Sequence, residues 1–434
     1  MDKIVIIADD ITGGADTAVQ FCALFDETVL VPYHQLPSAL SQSDQMVSRA
    51  ISIFTNSRAL DSDVARKRLL SVAGQFSQSK PEWIYKKIDS CLRGNLGAEI
   101  DAIMDGLEFE LSFIAPAFPE MGRTTVNDIH LVHGVPVNQT EISQDPVAPV
   151  TESRVPRLVA QQSRYPVGHV ALDSLQKGEV RLQKEITRLA RQGIRHIVFD
   201  STCRDHLAVI SRLLTSSDRR ILPVGSAGLA ASLACMLPPG LRSRKDENRA
   251  PAGANHLIVS GTTSDVTKKQ LKALLRVYPY REIIATADQL ADSDQRAMLL
   301  KKASEAAKIL SAENLIVRIG PQANSQTAAG KPARLLRAES VVEGIGLFVA
   351  AILKRCRPGF LFATGGDTAN AILTAIDGSA IRILGEIVRG MVHGRLIGGP
   401  LNGLAMITKA GAFGQADALI VLHETWKKMA GETS

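Results

Sequence analysis

The chain has 434 residues, 45% of them hydrophobic and 22% charged, enough for two domains that each bury a core. Its formal charge of +6 is spread along the chain, and no basic stripe with interleaved aromatics marks a nucleic-acid surface. Five cysteines without CxxC spacing point to free thiols, and no apolar run is long enough to span a membrane, so a cytoplasmic protein is expected.

Short β-rich runs alternate with helical spacing, which predicts an α/β fold of largely parallel sheets. In the first half the predicted strands are 3–8, 27–31, 50–54, 83–88, 111–116, 196–199 and 221–224, with helices over 15–25 and 64–76 among the connections. Residues 117–165 lack helical periodicity and read as loops with a small antiparallel excursion. Proline, glycine and mixed charge at 237–254 predict a linker between domains 1–240 and 254–434. Strands resume at 256–260, 281–286, 314–319, 360–364, 381–385 and 404–408, and Gly-rich 390–403 reads as a flexible stretch able to wrap a nucleotide.

Parallel sheets bind ligands at the carboxyl ends of their strands, so strand exits are where chemistry is sought. The first exit carries Asp9, Asp10, Thr12, Gly13, Gly14 and Asp16. Two adjacent carboxylates there could hold substrate hydroxyls, accept a proton or approach a metal, whereas one of them would suffice to cap the following helix. Arg58, Arg93 and Arg123 each follow a predicted strand end and together suggest a pocket for a carboxylate. Lys86 and Lys87 must point to opposite faces, so at most one reaches that pocket, and Asp89 follows them. In the second half, three predicted strands run into turns of similar make-up: Ser260 to Asp265, Thr364 to Thr368, and Thr408 to Gly414. Glycines and hydroxyls at such turns leave backbone N–H groups free for phosphate. Neither GxxxxGK[ST] nor GxGxxG occurs, and His130-x-x-His133 stands in loop-like sequence without further ligands.

The segments IADDITGGADTAVQ (7–20), TNSRAL (55–60), YKKIDSCLRGNLGAE (85–99), APAFPEMGRTTV (115–126), DPVAPVTES (145–153), PVGSAGLA (223–230), TGGDTANAIL (364–373) and ITKAGAFG (407–414) together resemble the four-carbon acid sugar kinase family. The resemblance spans nearly the whole chain in order. It implies an N-terminal substrate domain, a C-terminal ATP domain with a ligand cleft between them, and phosphorylation of the terminal hydroxyl of D-threonate, D-erythronate or 3-oxo-tetronate, with D-threonate put first. Three motifs depart from the family pattern: the first, more often ADDxTGA with Asn or another residue before the second Asp, reads Gly13-Gly14-Ala15-Asp16, Asp-Thr-Asp-Ser-Arg becomes Phe-Thr-Asn-Ser-Arg at 54–58, and Gly-Ser-Cys-Ser becomes Ser-Gly-Thr-Thr-Ser at 260–264.

The expected catalytic residues are Asp9, Asp10 and Asp367, with the general base left open. Substrate is assigned to Thr12, Asp16, Arg58, Lys86, Lys87, Asp89, Arg93 and Arg123. ATP, with Mg2+ bridging its phosphates, is assigned to Ser260, Ser264, Gly365, Gly366, Asp367, Thr368, Lys409, Gly411 and Gly414, and no direct metal ligand is named. The partners are a small sugar acid and ATP, with no nucleic acid and no membrane, and a homo-oligomer is left open. Two rival classes are a non-catalytic sugar-acid sensor and a nicotinamide-dependent dehydrogenase, the latter without a fingerprint.

Overall fold

The apolar runs of the first half become parallel strands because both of their faces are covered: Ile4 to Ala8 are all fully buried. The computed structural model describes residues 2–41, 48–78, 81–145, 147–238, 255–262, 264–320 and 331–431. The chain divides into two units, Met1–Arg242 and Ser243–Ser434, and most of the predicted linker lies outside the described residues.

In the first unit the strands are β1 (Asp2–Ala8), β2 (Glu27–Pro32), β3 (Arg49–Phe54), β4 (Trp83–Lys87), β5 (Leu111–Ala115), β6 (Arg123–Val126), β7 (Ile129–Val132), β8 (Val135–Pro136), β9 (Val167–Val170), β10 (His196–Phe199) and β11 (Ile221–Gly225). The main sheet runs β2-β3-β1-β4-β11-β5-β10-β9 and is parallel throughout. From β1 the chain moves out to β2, returns to β3 and then crosses to β4 on the other side of β1. The order therefore reverses beside β1, the position at whose carboxyl ends open parallel sheets bind their ligands. The antiparallel excursion is the three-stranded sheet β6-β7-β8. Edge strand β9 escapes the sequence reading because its four residues, VGHV, carry little apolar signal.

The second unit holds β12 (His256–Ser260), β13 (Arg281–Ala285), β14 (Leu315–Ile319), β15 (Phe360–Thr364), β16 (Ala380–Val388), β17 (Met391–Ile397) and β18 (Ala405–Lys409), in the order β13-β14-β12-β15-β18-β17-β16. The first five in that order are parallel, while β17 is antiparallel to both neighbours. This corrects the reading of 390–403 as a flexible wrap. Seven of those residues are a strand between β16 and β18, and Gly394 is required because a Cβ there would stand 2.5 Å from the Arg382 carbonyl oxygen. The core under this sheet gathers Leu271, Leu274, Phe360, Phe362, Leu419 and Trp426, all buried.

Candidate active site

The exit of β1 is shaped by the helix Ile11–Phe21 that continues from it. Asp10 caps this helix: Oδ1 accepts from the Gly13 N–H (2.9 Å) and Oδ2 from the Thr12 hydroxyl (2.6 Å). A Cβ on Gly13 would come 2.6 Å from Asp10 Oδ1 and 2.8 Å from Lys87 Nζ, so only glycine lets cap and lysine meet here. Beyond β3, the Thr55 and Ser57 N–H groups donate to the Ala8 and Asp9 carbonyls (2.9 and 3.1 Å), which carries Arg58 alongside β1. Arg58 then lies among three carboxylates, 2.6 Å from Asp9 Oδ2, 3.0 Å from Asp10 Oδ1 and 3.7 Å from Asp89 Oδ1. Burial opposes its charge, but Asp10, Asp9 and Asp89 outweigh that and raise its pKa well above the ordinary value.

Arg93 forks onto Asp89, with Nε to Oδ2 at 2.8 Å and Nη2 to Oδ1 at 3.1 Å, and Nη1 reaches Asp145 at 3.2 Å. Burial alone would raise the Asp89 carboxyl, yet Arg93 and Arg58 hold it well below the usual carboxylate range. The exits of β1, β3 and β4 thus form one alternating chain of charge, Asp9–Arg58–Asp89–Arg93–Asp145. Two groups in this neighbourhood stand out. Asp9 Oδ1 is buried without a hydrogen-bond partner, and Lys87 makes no hydrogen bond or salt bridge with its ammonium among the described residues, acting on Asp10 and Asp89 through its charge alone. A buried acceptor without a partner is costly unless a ligand completes it.

In the second unit the three predicted turns interlock. A Cβ on Gly261 would overlap Thr368 Oγ1, and one on Gly411 would stand 2.5 Å from Thr262 Oγ1, so the exits of β12, β15 and β18 are in contact. Gly365 takes φ +100 before the helix Gly366–Ala375, whose first turn carries exposed Asp367 and buried Thr368. Ser260 is buried at the end of β12, and Ser264 N donates to Thr262 Oγ1 (3.2 Å), while Thr263 lies outside the described residues. Lys409, assigned to the nucleotide by sequence, turns inward instead. Its fully buried ammonium donates to the carbonyls of Ala410 (3.0 Å), Phe413 (3.1 Å) and Gly411 (3.4 Å).

Comparison with known proteins decides what these two sites belong to. Residues 4–233 match a sugar-binding N-terminal domain and residues 257–419 a nucleotide-binding C-terminal domain. The chain is 32% identical to a D-threonate kinase of Salmonella typhimurium, over 98% of this chain and 99% of that one. This chain belongs to the four-carbon acid sugar kinase family. It is also 30% identical to a D-erythronate kinase of Heliobacterium modesticaldum (96% of this chain, 95% of the relative) and 29% identical to a 3-oxo-tetronate kinase of Escherichia coli (65% and 72%). Crystal structures of proteins from Salmonella typhimurium and Haemophilus influenzae superpose with TM-scores of 0.75 and 0.66 at 21% identity, covering 97% of this chain and 99% and 100% of those, and they share its fold.

Within this kinase the predicted substrate residues separate. Asp9, Asp10, Thr12, Arg58, Lys87, Asp89 and Arg93 are joined by the contacts above. Lys86 is not among them: its ammonium is fully buried against Glu99 (2.6 Å), which also accepts from Ser57 (2.6 Å). Strand alternation sends Lys86 into the core as it sends Lys87 towards Asp10. Arg123 opens β6, donates to the Met121 carbonyl and contacts the Cys91 thiol. Asp16 is buried farther along the first helix, near enough to buried Tyr85 for its charge to oppose ionisation of that phenol.

His130 is a buried strut, with its ring nitrogens at the Ser90 carbonyl (2.8 Å) and Thr125 hydroxyl (3.0 Å), and burial lowers its pKa to about 4. Sequence reasoning missed Glu99, Asp145, Thr267 and Gln270, because their roles depend on contacts between distant segments. The fold also assembles a set invisible in the sequence: Ser112 Oγ lies 2.7 Å from His196 Nδ1, whose Nε2 meets Asp101 at 2.9 Å. All three are buried, Ser112 and His196 near the amino ends of β5 and β10 and Asp101 on the helix Leu96–Leu107, so they brace the sheet away from the strand exits.

Proposed function

We propose that this kinase transfers the γ-phosphoryl group of Mg-ATP to the terminal 4-hydroxyl of D-threonate, with D-erythronate and 3-oxo-tetronate, named for its relatives, as the next candidates. The observation that carries the reading is the buried, unmatched Asp9 Oδ1 acceptor at the exit of β1, with the Lys87 ammonium, held by no hydrogen bond, close by at the exit of β4. A sugar acid supplies what each lacks: hydroxyls for the carboxylate and a carboxylate for the ammonium. Arg58 and Arg93 are already paired with protein carboxylates, so their work is to fix Asp9, Asp10 and Asp89 in place. Asp10 is spent on the helix cap and Arg58, which leaves Asp9 as the carboxylate for the attacking hydroxyl.

Phosphoryl transfer needs positioning and charge neutralisation more than covalent chemistry from the protein. The turns bearing Ser260, Ser264, Gly365 to Thr368, and Gly411 to Gly414 would hold the nucleotide through N–H groups and hydroxyls. Among the described residues no three His, Cys, Asp or Glu side chains are grouped to hold a metal. That fits Mg2+ carried on ATP, which needs only one or two protein carboxylates, and exposed Asp367 in the phosphate-facing turn is the group at hand. When bound, the cation would neutralise charge on the phosphates. The test is ADP release from Mg-ATP with a panel of tetronic acids. D-Threonate should give the highest kcat/KM. A higher value for another tetronic acid replaces the substrate, and no acid-dependent ADP release overturns the function.

A further inference from the structure

The loop after β18 presents an unusual use of a lysine. Lys409 is a fully buried cation, and among the described residues no carboxylate pairs with it: its partners are three loop carbonyls and, at 3.3 Å, the Thr267 hydroxyl. Burial lowers its pKa to about 7. Those carbonyls do not depend on it. Ala410 O also accepts from the Phe413 N–H (3.1 Å), Gly411 O from Thr267 Oγ1 (2.8 Å), and Phe413 O from Gln270 Nε2 (3.0 Å). Gln270 takes the Gln415 carbonyl as well, at 2.8 Å. A buried ammonium is expensive to desolvate, and here it satisfies acceptors that have other donors. Hydrogen-bond satisfaction therefore does not account for it.

The geometry of the peptide unit shows what it does. No peptide bond is cis among the described residues, and in a trans unit the N–H points opposite to the C=O. With the carbonyls of Ala410, Gly411 and Phe413 turned towards Lys409, the N–H groups of Gly411, Ala412 and Gly414 are turned away from it. None of the three has a hydrogen-bond partner among the described residues, and all three residues are only half-buried. Successive outward N–H groups form a concavity for an anion, and a positive charge behind the carbonyls strengthens each N–H through its own peptide dipole.

Resting on the nucleotide-binding reading of the second unit, we infer that Lys409 is a positioning residue that touches no ligand, and that it holds and polarises the 410–414 loop so that the N–H groups of Gly411, Ala412 and Gly414 bind a phosphate group of the nucleotide. It is this loop, not the lysine, that meets the anion.

The experiment measures binding of ATP, ADP and adenosine to the full chain by calorimetry, for wild type and Lys409→Met, with melting temperatures alongside. Lys409→Met should weaken ATP and ADP by about tenfold or more, because the loop N–H groups lose the charge that polarises them and the group that holds their carbonyls. Adenosine affinity should stay within twofold and the melting temperature should not fall, because the carbonyls keep their other donors. Equal losses for adenosine and ADP, or no loss for ADP, would overturn the inference. If Lys409→Met does not fold, wild type labelled with 15N-glycine decides. ADP should shift the Gly411 and Gly414 amide protons downfield where adenosine does not, and unmoved amides overturn the loop assignment. Failure of wild type to bind any nucleotide overturns the proposed function along with it, whereas wild-type binding that the variant leaves intact overturns the inference alone.

Discussion

The two units solve ligand recognition with opposite materials. At the exits of β1, β3 and β4, the first unit concentrates formal charge in side chains, and nearly every charge is already paired. At the exits of β12, β15 and β18, the second unit offers backbone N–H groups and hydroxyls, and the lysine in its last turn faces inward. The contrast suits the ligands. A small, flexible acid must be oriented by a few directed charges, and paired arginines keep the carboxylates from moving. A phosphate chain carries its own charge and needs a surface of N–H donors that costs nothing to reorganise. On the proposed function, the first site should therefore be sensitive to single side chains, and the second to whatever shapes its loops.

Asp9→Asn is the sharpest way to break this contrast. Removing the carboxylate assigned to the attacking hydroxyl should lower kcat by about 10²–10⁴-fold while leaving KM for ATP almost unchanged, as read by steady-state kinetics. Lys87→Met comes next. KM for the sugar acid should rise roughly ten- to a hundred-fold, and kinetics with a neutral tetritol should not change, since that molecule has no carboxylate for the ammonium. Arg93→Lys should do less. Its fork holds Asp89 and Asp145, so the substitution should cost about 1–2 kcal/mol of stability and raise KM for the acid by less than about tenfold. A larger KM effect for Arg93→Lys than for Lys87→Met would show that the arginine contacts the substrate directly.

The smallest effect is a difference in acid sensitivity. His130 in the first unit has a folded pKa of about 4, and in the second unit His256 and His393 have about 3 and 4, all lowered by burial. In each case the unfolded chain takes up the proton first, so stability is complete above pH about 6.5 and falls as the pH drops towards these values. The second unit, with two such histidines, should weaken more between pH 6.5 and 4. The first should weaken below pH about 4, where the unfolded chain takes up protons at Asp10 and Asp89 while Arg58 and Arg93 still hold both ionised in the folded unit. Each unit carries one of the two tryptophans, Trp83 and Trp426, so melts of Trp83→Phe and Trp426→Phe followed by fluorescence report the units separately.

The legibility of the sequence divides along the same line. Apolar runs marked all but the short, weakly apolar or glycine-interrupted strands, and β17 was lost because Gly394, Gly398 and Gly399 read as flexibility. Side-chain charges at strand exits were visible because their spacing from the strands is local. Their partners were not: Arg93 was expected on a substrate carboxylate, yet Asp89, four residues away, takes its fork. Alternation predicted that Lys86 and Lys87 diverge, but only Glu99, on the helix Leu96–Leu107, decides which of them enters the core. Lys409 shows the limit most clearly. A lysine in a glycine-rich turn reads as a phosphate ligand, and its inward course depends on Thr267 and Gln270, more than a hundred residues earlier.

The division itself is tested most directly by calorimetric titration of D-threonate and of ADP into the full chain, comparing wild type, Lys87→Met and Lys409→Met. The account predicts that Lys87→Met weakens D-threonate at least tenfold and leaves ADP unchanged, while Lys409→Met does the reverse. Loss of ADP binding in Lys87→Met with D-threonate binding intact, or loss of D-threonate binding in Lys409→Met with ADP binding intact, would contradict it.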